Sequence, residues 1–211
     1  MNTSTETTVN EQTLTLPVME HFYTLQGEGF HQGKAAYFIR LAGCDVGCVW
    51  CDVKESWAVS KHPLKPISYL VDQVKQTPAR IVVITGGEPL MHNLTVLTTA
   101  LQESGFQTHI ETSGAYPLSG NWNWICLSPK KFKAPLPELI NKADELKVVI
   151  YHKSDFAWAE KYAALVNPTC KLYLQPEWDK AAEVTPQIID YIKANPQWQF
   201  SLQVHKYINV P

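Results

Sequence analysis

The stretch Ala36-Tyr37-Phe38-Ile39-Arg40-Leu41-Ala42-Gly43-Cys44-Asp45-Val46-Gly47-Cys48-Val49-Trp50-Cys51 decides how the chain is read. Its first part, AYFIRL, is apolar except for Arg40 and predicts a strand. Its second part breaks into a loop carrying three cysteines at the spacing C-x3-C-x2-C. Downstream, Ile67, Leu70, Val71 and Val74 fall at i, i+3, i+4 and i+7, one face of a helix. Ile81 to Ile84 (IVVI) is β-branched throughout, as in a strand buried on both faces. Asn93 can cap a helix whose apolar stripe includes Leu94, Leu97 and Leu101.

The alternation then continues. Thr108 to Glu111, Trp124 to Leu127, Leu146 to Ile150 and Leu172 to Leu174 read as short strands. Asp155 can cap a helix that turns Trp158, Tyr162, Leu165 and Val166 inward. Thr185-Pro186 signals another helix start, with Pro in its first turn. Ile188, Tyr191 and Ile192 follow on one face. Gln199 to Val204 reads as a last strand. Trp50 to Pro66 and Ser113 to Asn123 read as irregular loops. Strands alternating with helices argue for parallel βα units. No linker divides them, so one domain is expected over residues 17–211, after a flexible tail over residues 1–16.

Bulk properties narrow the class. A chain of 211 residues that is 45% hydrophobic can bury a core without staples. The net charge is −2, and no run of Lys or Arg stands out. That argues against gripping a nucleic-acid backbone and for a small-molecule substrate. The polar start lacks the basic and apolar regions of a signal peptide. No apolar run approaches the roughly 20 residues that span a bilayer. A cytoplasmic protein is expected. In a reducing compartment, clustered cysteines are metal ligands or catalytic groups rather than disulfides.

Three thiolates on one short loop can converge on one inorganic centre. Structural zinc wants four ligands, which His31 or His62 could complete. A [4Fe–4S] cluster on Cys44, Cys48 and Cys51 leaves one iron without a protein ligand. That iron can chelate the amino and carboxylate groups of S-adenosylmethionine (SAM). Electron transfer to the sulfonium then yields a 5′-deoxyadenosyl radical, and the protein supplies position and exclusion of water. Cys126, inside an apolar strand, and Cys170, near Pro168, read as packing residues.

The cysteine loop, with Trp50 as the aromatic before Cys51, resembles the radical SAM superfamily. Thr85-Gly86-Gly87-Glu88-Pro89 follows the strand IVVI and resembles that superfamily's GGEP motif. Its glycines let backbone approach a ligand, and Glu88 can accept from an ammonium. Further segments resemble one family within it, the 7-carboxy-7-deazaguanine synthases. They are Phe22 to Gly29 (FYTLQGEG), Phe38 to Cys44 (FIRLAGC), Glu111 to Gly114 (ETSG), Ser128-Pro129-Lys130 and His205 to Pro211 (HKYINVP). The resemblance runs from about Val18 to Pro211.

The resemblance implies an α/β fold, an incomplete, open TIM-like barrel of the radical SAM type. Its cluster loop lies on the C-terminal edge of the strands. It implies conversion of 6-carboxy-5,6,7,8-tetrahydropterin to 7-carboxy-7-deazaguanine, with loss of ammonia. It places SAM against Trp50, Asp52, Gly87, Glu88, Ser113, Ser128, Pro129, Lys130 and Gln175. It places the pterin against Leu25, Gln26, Gly27, Glu28, Thr85 and His205. Arg40 would meet the substrate carboxylate through a two-pronged guanidinium, and the Pro211 carboxylate would also reach the substrate. A homodimer and an electron donor such as a flavodoxin are implied too. One departure stands out. Family members usually continue Cys-Asp-Thr, and that Thr ligates Mg²⁺ beside the substrate carboxylate; here Cys51-Asp52-Val53 offers no side-chain oxygen at the third position, which puts Mg²⁺ in doubt. Two rivals remain at this point: another radical SAM enzyme, such as a glycyl-radical activase, and a zinc-binding interaction module.

Overall fold

The computed structural model describes residues 14–211. The expected flexible tail therefore falls almost wholly outside the described residues. Among the described residues there are nine strands: β1 (Thr15–Leu25), β2 (Ala35–Leu41), β3 (Leu64–Pro66), β4 (Ile81–Gly86), β5 (Gln107–Thr112), β6 (Trp124–Leu127), β7 (Glu145–Ile150), β8 (Lys171–Pro176) and β9 (Trp198–Phe200). They form one sheet in the order β3-β1-β2-β4-β5-β6-β7-β8-β9. From β2 to β9 every neighbouring pair is parallel. β1 runs antiparallel to both β2 and β3. The sheet is an open α/β barrel with β3 and β9 at its two edges.

The helices are α1 (Ile67–Lys75), α2 (Thr95–Glu103), α3 (Pro137–Lys142), α4 (Asp155–Ala163), α5 (Ala181–Ala194) and α6 (Val204–Ile208). Successive side chains of a strand point to opposite faces of the sheet, and here the two faces are chemically different. Leu41, Ile84, Ile110, Leu127, Leu146 and Leu174 belong to the main core, together with Leu70, Leu97, Leu101 and Ile188 from the helices. Alternate positions face the barrel interior. Ala36, Phe38, Ile81 and Val83 form a second, small apolar cluster there, with Phe22 against it. Near the strands' C-terminal ends Arg40, Thr85, Glu111 and Gln175, and from the middle of β7 Lys147, surround one cavity. Truncating a fully buried outer residue such as Leu101 or Leu127 costs about 2–5 kcal/mol; the inner polar set is free for chemistry.

Several local expectations are corrected. β1 begins at Thr15, two residues before the expected domain boundary. α5 begins at Ala181, and Pro186 lies inside it. The Glu177 carboxylate accepts from the Lys180 amide, and the Lys180 carbonyl accepts from Glu183 and Val184, so the turn is nucleated early. Pro186 leaves only the exposed Ala182 carbonyl without its helical donor, and water can satisfy that. Asp155 does not cap α4. Its carboxylate accepts from the Tyr151 and His152 amides, which precede the helix, and pairs with Lys131 at 2.5 Å. Leu165 lies beyond α4 and is half exposed. β9 stops at Phe200, and Val204 opens α6. Asn93 lies one residue ahead of the cap position, which Leu94 holds without a side-chain cap bond; the Asn93 Oδ1 accepts from the Thr95 amide at 3.0 Å in the turn that leads into α2.

Candidate active site

β2 delivers the chain to the cluster loop at the C-terminal edge of the sheet. The loop is tied down at its entry by Gly43 N–H to the Ser56 carbonyl (2.6 Å) and Cys44 N–H to the Trp57 carbonyl (3.3 Å). The Ala42 carbonyl is paired with His92 Nε2 at 2.7 Å. A tight turn then joins Cys51 N–H to the Cys48 carbonyl. Cys44, Cys48 and Cys51 are free thiols, and all three line the cavity. Burial pushes the Cys44 and Cys48 thiols up; Cys51 adds to the effect at both, and Cys44 adds to it at Cys48. Lys130 opposes this at Cys48, while its ammonium sits 5.0 Å from the centre of the Trp50 ring.

Among the described residues, no three His, Cys, Asp or Glu side chains gather tightly enough for a single metal ion. Three free thiols on one cavity wall can each ligate a separate iron of a cubane cluster. The two histidines offered for zinc are occupied differently. His31 packs on His109 (4.5 Å between centroids) and Trp124 (4.6 Å), toward the N-terminal ends of β5 and β6. His62 Nε2 pairs with the Glu55 carbonyl at 2.8 Å. Cys126 and Cys170 are buried in the packing, as expected.

The turn after β4 is laced to this loop. Gly87 N–H donates to the Leu41 carbonyl (3.1 Å) and Glu88 N–H to the Gly43 carbonyl (2.8 Å). A Cβ on Gly87 would stand 2.5 Å from the Gly43 oxygen and 2.7 Å from Cys44 Cβ, so only glycine fits. Glu88 itself does not face the cavity. It is 1% exposed, and its two oxygens accept from Leu90 N–H, Thr112 Oγ1, Ser113 N–H and Ser113 Oγ. Its geometry is that of a brace between the ends of β4 and β5, leaving no acceptor for a ligand ammonium. Ser113 and Ser128 do line the cavity, and Ser128 Oγ accepts from Lys130 Nζ at 2.6 Å. Pro129 faces away, its carbonyl accepting from Trp158 Nε1. Gln175 lines the cavity, held by Ser201 Oγ at 2.8 Å. Glycine backbone, hydroxyls and carbonyl ends beside three thiols fit a SAM moiety chelated to a cluster.

The other side of the cavity is ionic. Lys147, 5% exposed in its side chain, is ion-paired with Glu28 and lies 3.8 Å from Glu111. Gln26 Nε2 donates to Glu111 (2.9 Å), and Gln203 Nε2 donates to Glu28 (3.0 Å). The Lys147 ammonium is the main reason that Glu28, despite burial, is held down to about 2. The two carboxylates hold Lys147 well above its ordinary value against its own burial. The centre is thus two anions around one cation. Thr85, Leu25 and Gly27 border it.

Arg40 also lines the cavity. Its Nε donates to Glu20 across the β1–β2 pair at 2.7 Å. α6 closes this side. Val204 N–H donates to the Gly27 carbonyl (2.9 Å), and the His205 ring lies where a Gly27 Cβ would be. Burial pushes His205 down, with Glu28 pulling the other way. Pro211 and Asp52 complete the rim.

The cavity therefore gathers every residue expected there except Glu88 and Pro129. It adds Glu111, Lys147, Gln203 and Trp178. Lys147 had a readable signal, a lysine at the third position of the otherwise buried strand ELKVVI. Gln203 and Trp178 had none, because only the tertiary fold brings the α6 and β8 ends to this edge.

A strand-borne loop of three cysteines over a glycine turn, at the mouth of an open barrel, defines a radical SAM protein. The family model of the Radical SAM superfamily matches residues 38–152. The chain belongs to that superfamily and, within it, to the 7-carboxy-7-deazaguanine synthase family. It is 56% identical to the 7-carboxy-7-deazaguanine synthase of Flavobacterium psychrophilum, over 93% of each chain. It is 48% identical to that of Synechocystis, covering 94% of this chain and 95% of the relative. The crystal structure of QueE from Escherichia coli superposes with a TM-score of 0.79 at 32% identity, covering 90% and 95% of the two chains.

Proposed function

We propose that this chain is a radical SAM lyase that converts 6-carboxy-5,6,7,8-tetrahydropterin to 7-carboxy-7-deazaguanine with loss of ammonia, on the route to queuosine and related 7-deazapurines. The observation that carries this reading is one cavity with two chemically distinct walls. Cys44, Cys48 and Cys51 form one wall, and the Glu28–Lys147–Glu111 centre forms the other. The first wall suits a [4Fe–4S] cluster with SAM, which when bound supplies a hydrogen-abstracting radical. Gly87, Ser113, Ser128, Lys130, Gln175, Trp50 and Asp52 hold SAM in place. Glu88 acts indirectly, by fixing Ser113.

The second wall reads the pterin. Its amino and ring N–H groups are donors, and carboxylate oxygens such as those of Glu28, which the Lys147 ammonium holds down, accept from them well. Gln26, Thr85 and the backbone of Leu25 and Gly27 complete the polar edge. Arg40 meets the substrate carboxylate. His205 is held neutral by burial and closes over the heterocycle with Pro211, excluding water. Orientation of one substrate carbon toward the cluster wall is the protein's main contribution. The protein works as a cytoplasmic homodimer reduced by a small electron-transfer protein such as a flavodoxin. No helix of the described residues is long and apolar enough to cross a membrane.

The test is anaerobic turnover of the reconstituted protein with SAM, a reductant and the tetrahydropterin. The expected product is 7-carboxy-7-deazaguanine, with SAM not consumed stoichiometrically. An iron-loaded protein that cleaves SAM but leaves the pterin unchanged would overturn the reading.

A further inference from the structure

Family members usually place a threonine hydroxyl where Val53 stands, and Mg²⁺ binds there beside the substrate carboxylate. The residues of this chain do not fit that ion. Mg²⁺ demands several oxygen ligands in near-octahedral geometry. Val53 lines the cavity with an isopropyl group. Its carbonyl already accepts from Ser56 N–H (3.1 Å) and Ser56 Oγ (2.7 Å). The two nearby carboxylates each have their own ammonium. Asp52 is paired with Lys206 at 2.9 Å, and Glu28 with Lys147. Gln203 Nε2 lies between them, 3.0 Å from Glu28 and 3.4 Å from Asp52. Lys206 is held from a second side, 4.8 Å over the Trp178 ring. A divalent ion would have to displace an ammonium and face an apolar wall.

Of the cations lining this cavity, Lys147 is paired with Glu28 and Lys130 sits over Trp50 on the cysteine wall, while Arg40 keeps donors to spare. Arg40 spends its Nε on Glu20, and its two terminal nitrogens have no hydrogen-bond partner among the described residues. We infer that this chain binds its carboxylate substrate without a divalent cation. Val53 and the Lys206–Asp52 pair close the metal position, and the Arg40 guanidinium alone answers the substrate's charge. This rests on the proposed function. It adds that the specificity for a carboxylate is built from protein side chains only.

The experiment measures binding of 6-carboxy-5,6,7,8-tetrahydropterin to the anaerobic, SAM-loaded holoenzyme by calorimetry, with turnover in parallel. Both are done in EDTA and in millimolar Mg²⁺. The wild-type Kd and KM are expected to agree within twofold between the two conditions. Arg40→Gln should weaken binding tenfold or more in both. Arg40→Lys, which keeps the charge and loses the fork, should fall between the two, and iron content confirms that each variant is folded. A wild-type Kd that weakens more than twofold on chelation overturns the inference, as does an Arg40→Gln protein that binds like wild type. Magnesium-dependent turnover would leave the proposed function standing and remove this inference alone. Absence of binding and of turnover in both conditions would remove both.

Discussion

Lys147 in β7 and Glu28 before β2, 119 residues apart in sequence, form an ion pair inside the barrel. The pair couples the two halves of the sheet at the substrate wall. Both side chains are largely out of water, so neither charge can be abandoned cheaply. Removing one partner of a buried pair costs about 3–5 kcal/mol, because the other charge is stranded. Lys147→Met should therefore lower the thermal midpoint sharply and raise the KM for the pterin. Glu28→Gln/Lys147→Met should recover part of the stability, with Glu111 still lacking its cation, but not substrate binding. A thermal scan and a KM determination on the two variants check this.

Acid should unfold the protein in two steps with different causes. His109 is held down to about 3 and His31 to about 4, in each case chiefly by burial. A group whose pKa falls on folding stabilises at pH above its unfolded value and loses that contribution as pH drops. The histidine contribution should thus decline from about pH 6.5 down to about 3. Glu28 adds a second loss, from about 4.5 down to about 2. Denaturant midpoints measured across pH 3–8 should show the first slope, and His31→Phe/His109→Phe should flatten it between pH 6.5 and 5. An unchanged slope would show that other groups carry it.

Glu88 distinguishes a brace from a ligand contact. It accepts four hydrogen bonds while buried. In Glu88→Gln an amide NH₂ must face donors from β5, at a cost of about 1.5–3 kcal/mol for the charged bonds lost. Stability should fall even without ligand, and SAM affinity should fall through Ser113. Ser113→Ala should weaken SAM binding with a smaller loss of stability. Thermal scans of the ligand-free variants beside SAM titrations separate the two effects.

Some of this was legible in the residues and some was not. Trp124–Leu127 matched its strand in full, because apolar strands buried by helices are written in continuous apolar runs. The cysteine spacing and the glycine turn pointed to one shared cavity, since both lie on loops leaving parallel strands. β1 was not read as a strand. Its interior alternates with charges such as Glu20, whose partner Arg40 lies on another strand. Thr185-Pro186 mimics a first-turn signal inside α5, while the nucleating Glu177–Lys180 contact belongs to no motif. Lys147 stands out as a lysine within the strand ELKVVI, but its pairing does not, because Glu28 and Glu111 come from distant parts of the chain. Charges that meet only in the barrel interior leave no periodic trace.

The cysteines divide into two groups with opposite expected behaviour. Cys44, Cys48 and Cys51 line the cavity, whereas Cys170 packs in the outer core, where burial pushes its thiol up to about 12. Cys48→Ala should abolish cluster assembly and all turnover. Cys170→Ala should keep about four irons and four sulfides per chain at a modest loss of stability. Iron and sulfide analysis with the visible spectrum decides it, and a Cys170→Ala protein without iron would contradict the assignment.

Gly27 offers the most selective probe of the substrate wall. The His205 ring occupies the place of a Gly27 Cβ, and α6 is anchored to the Gly27 carbonyl through Val204. A methyl group there cannot be absorbed by the backbone and must push His205 and α6 outward. Neither residue touches the cysteine loop in hydrogen bonding, so the cluster should assemble normally in Gly27→Ala. The KM for the pterin should rise at least tenfold, about 1.4 kcal/mol of lost binding. Cleavage of SAM in the absence of substrate should stay near the wild-type rate. His205→Ala in the same background removes the ring contacts but keeps the His205 Cβ at 2.9 Å, so it should relieve part of the KM increase. If Gly27→Ala left KM unchanged, α6 would not be closing over the substrate.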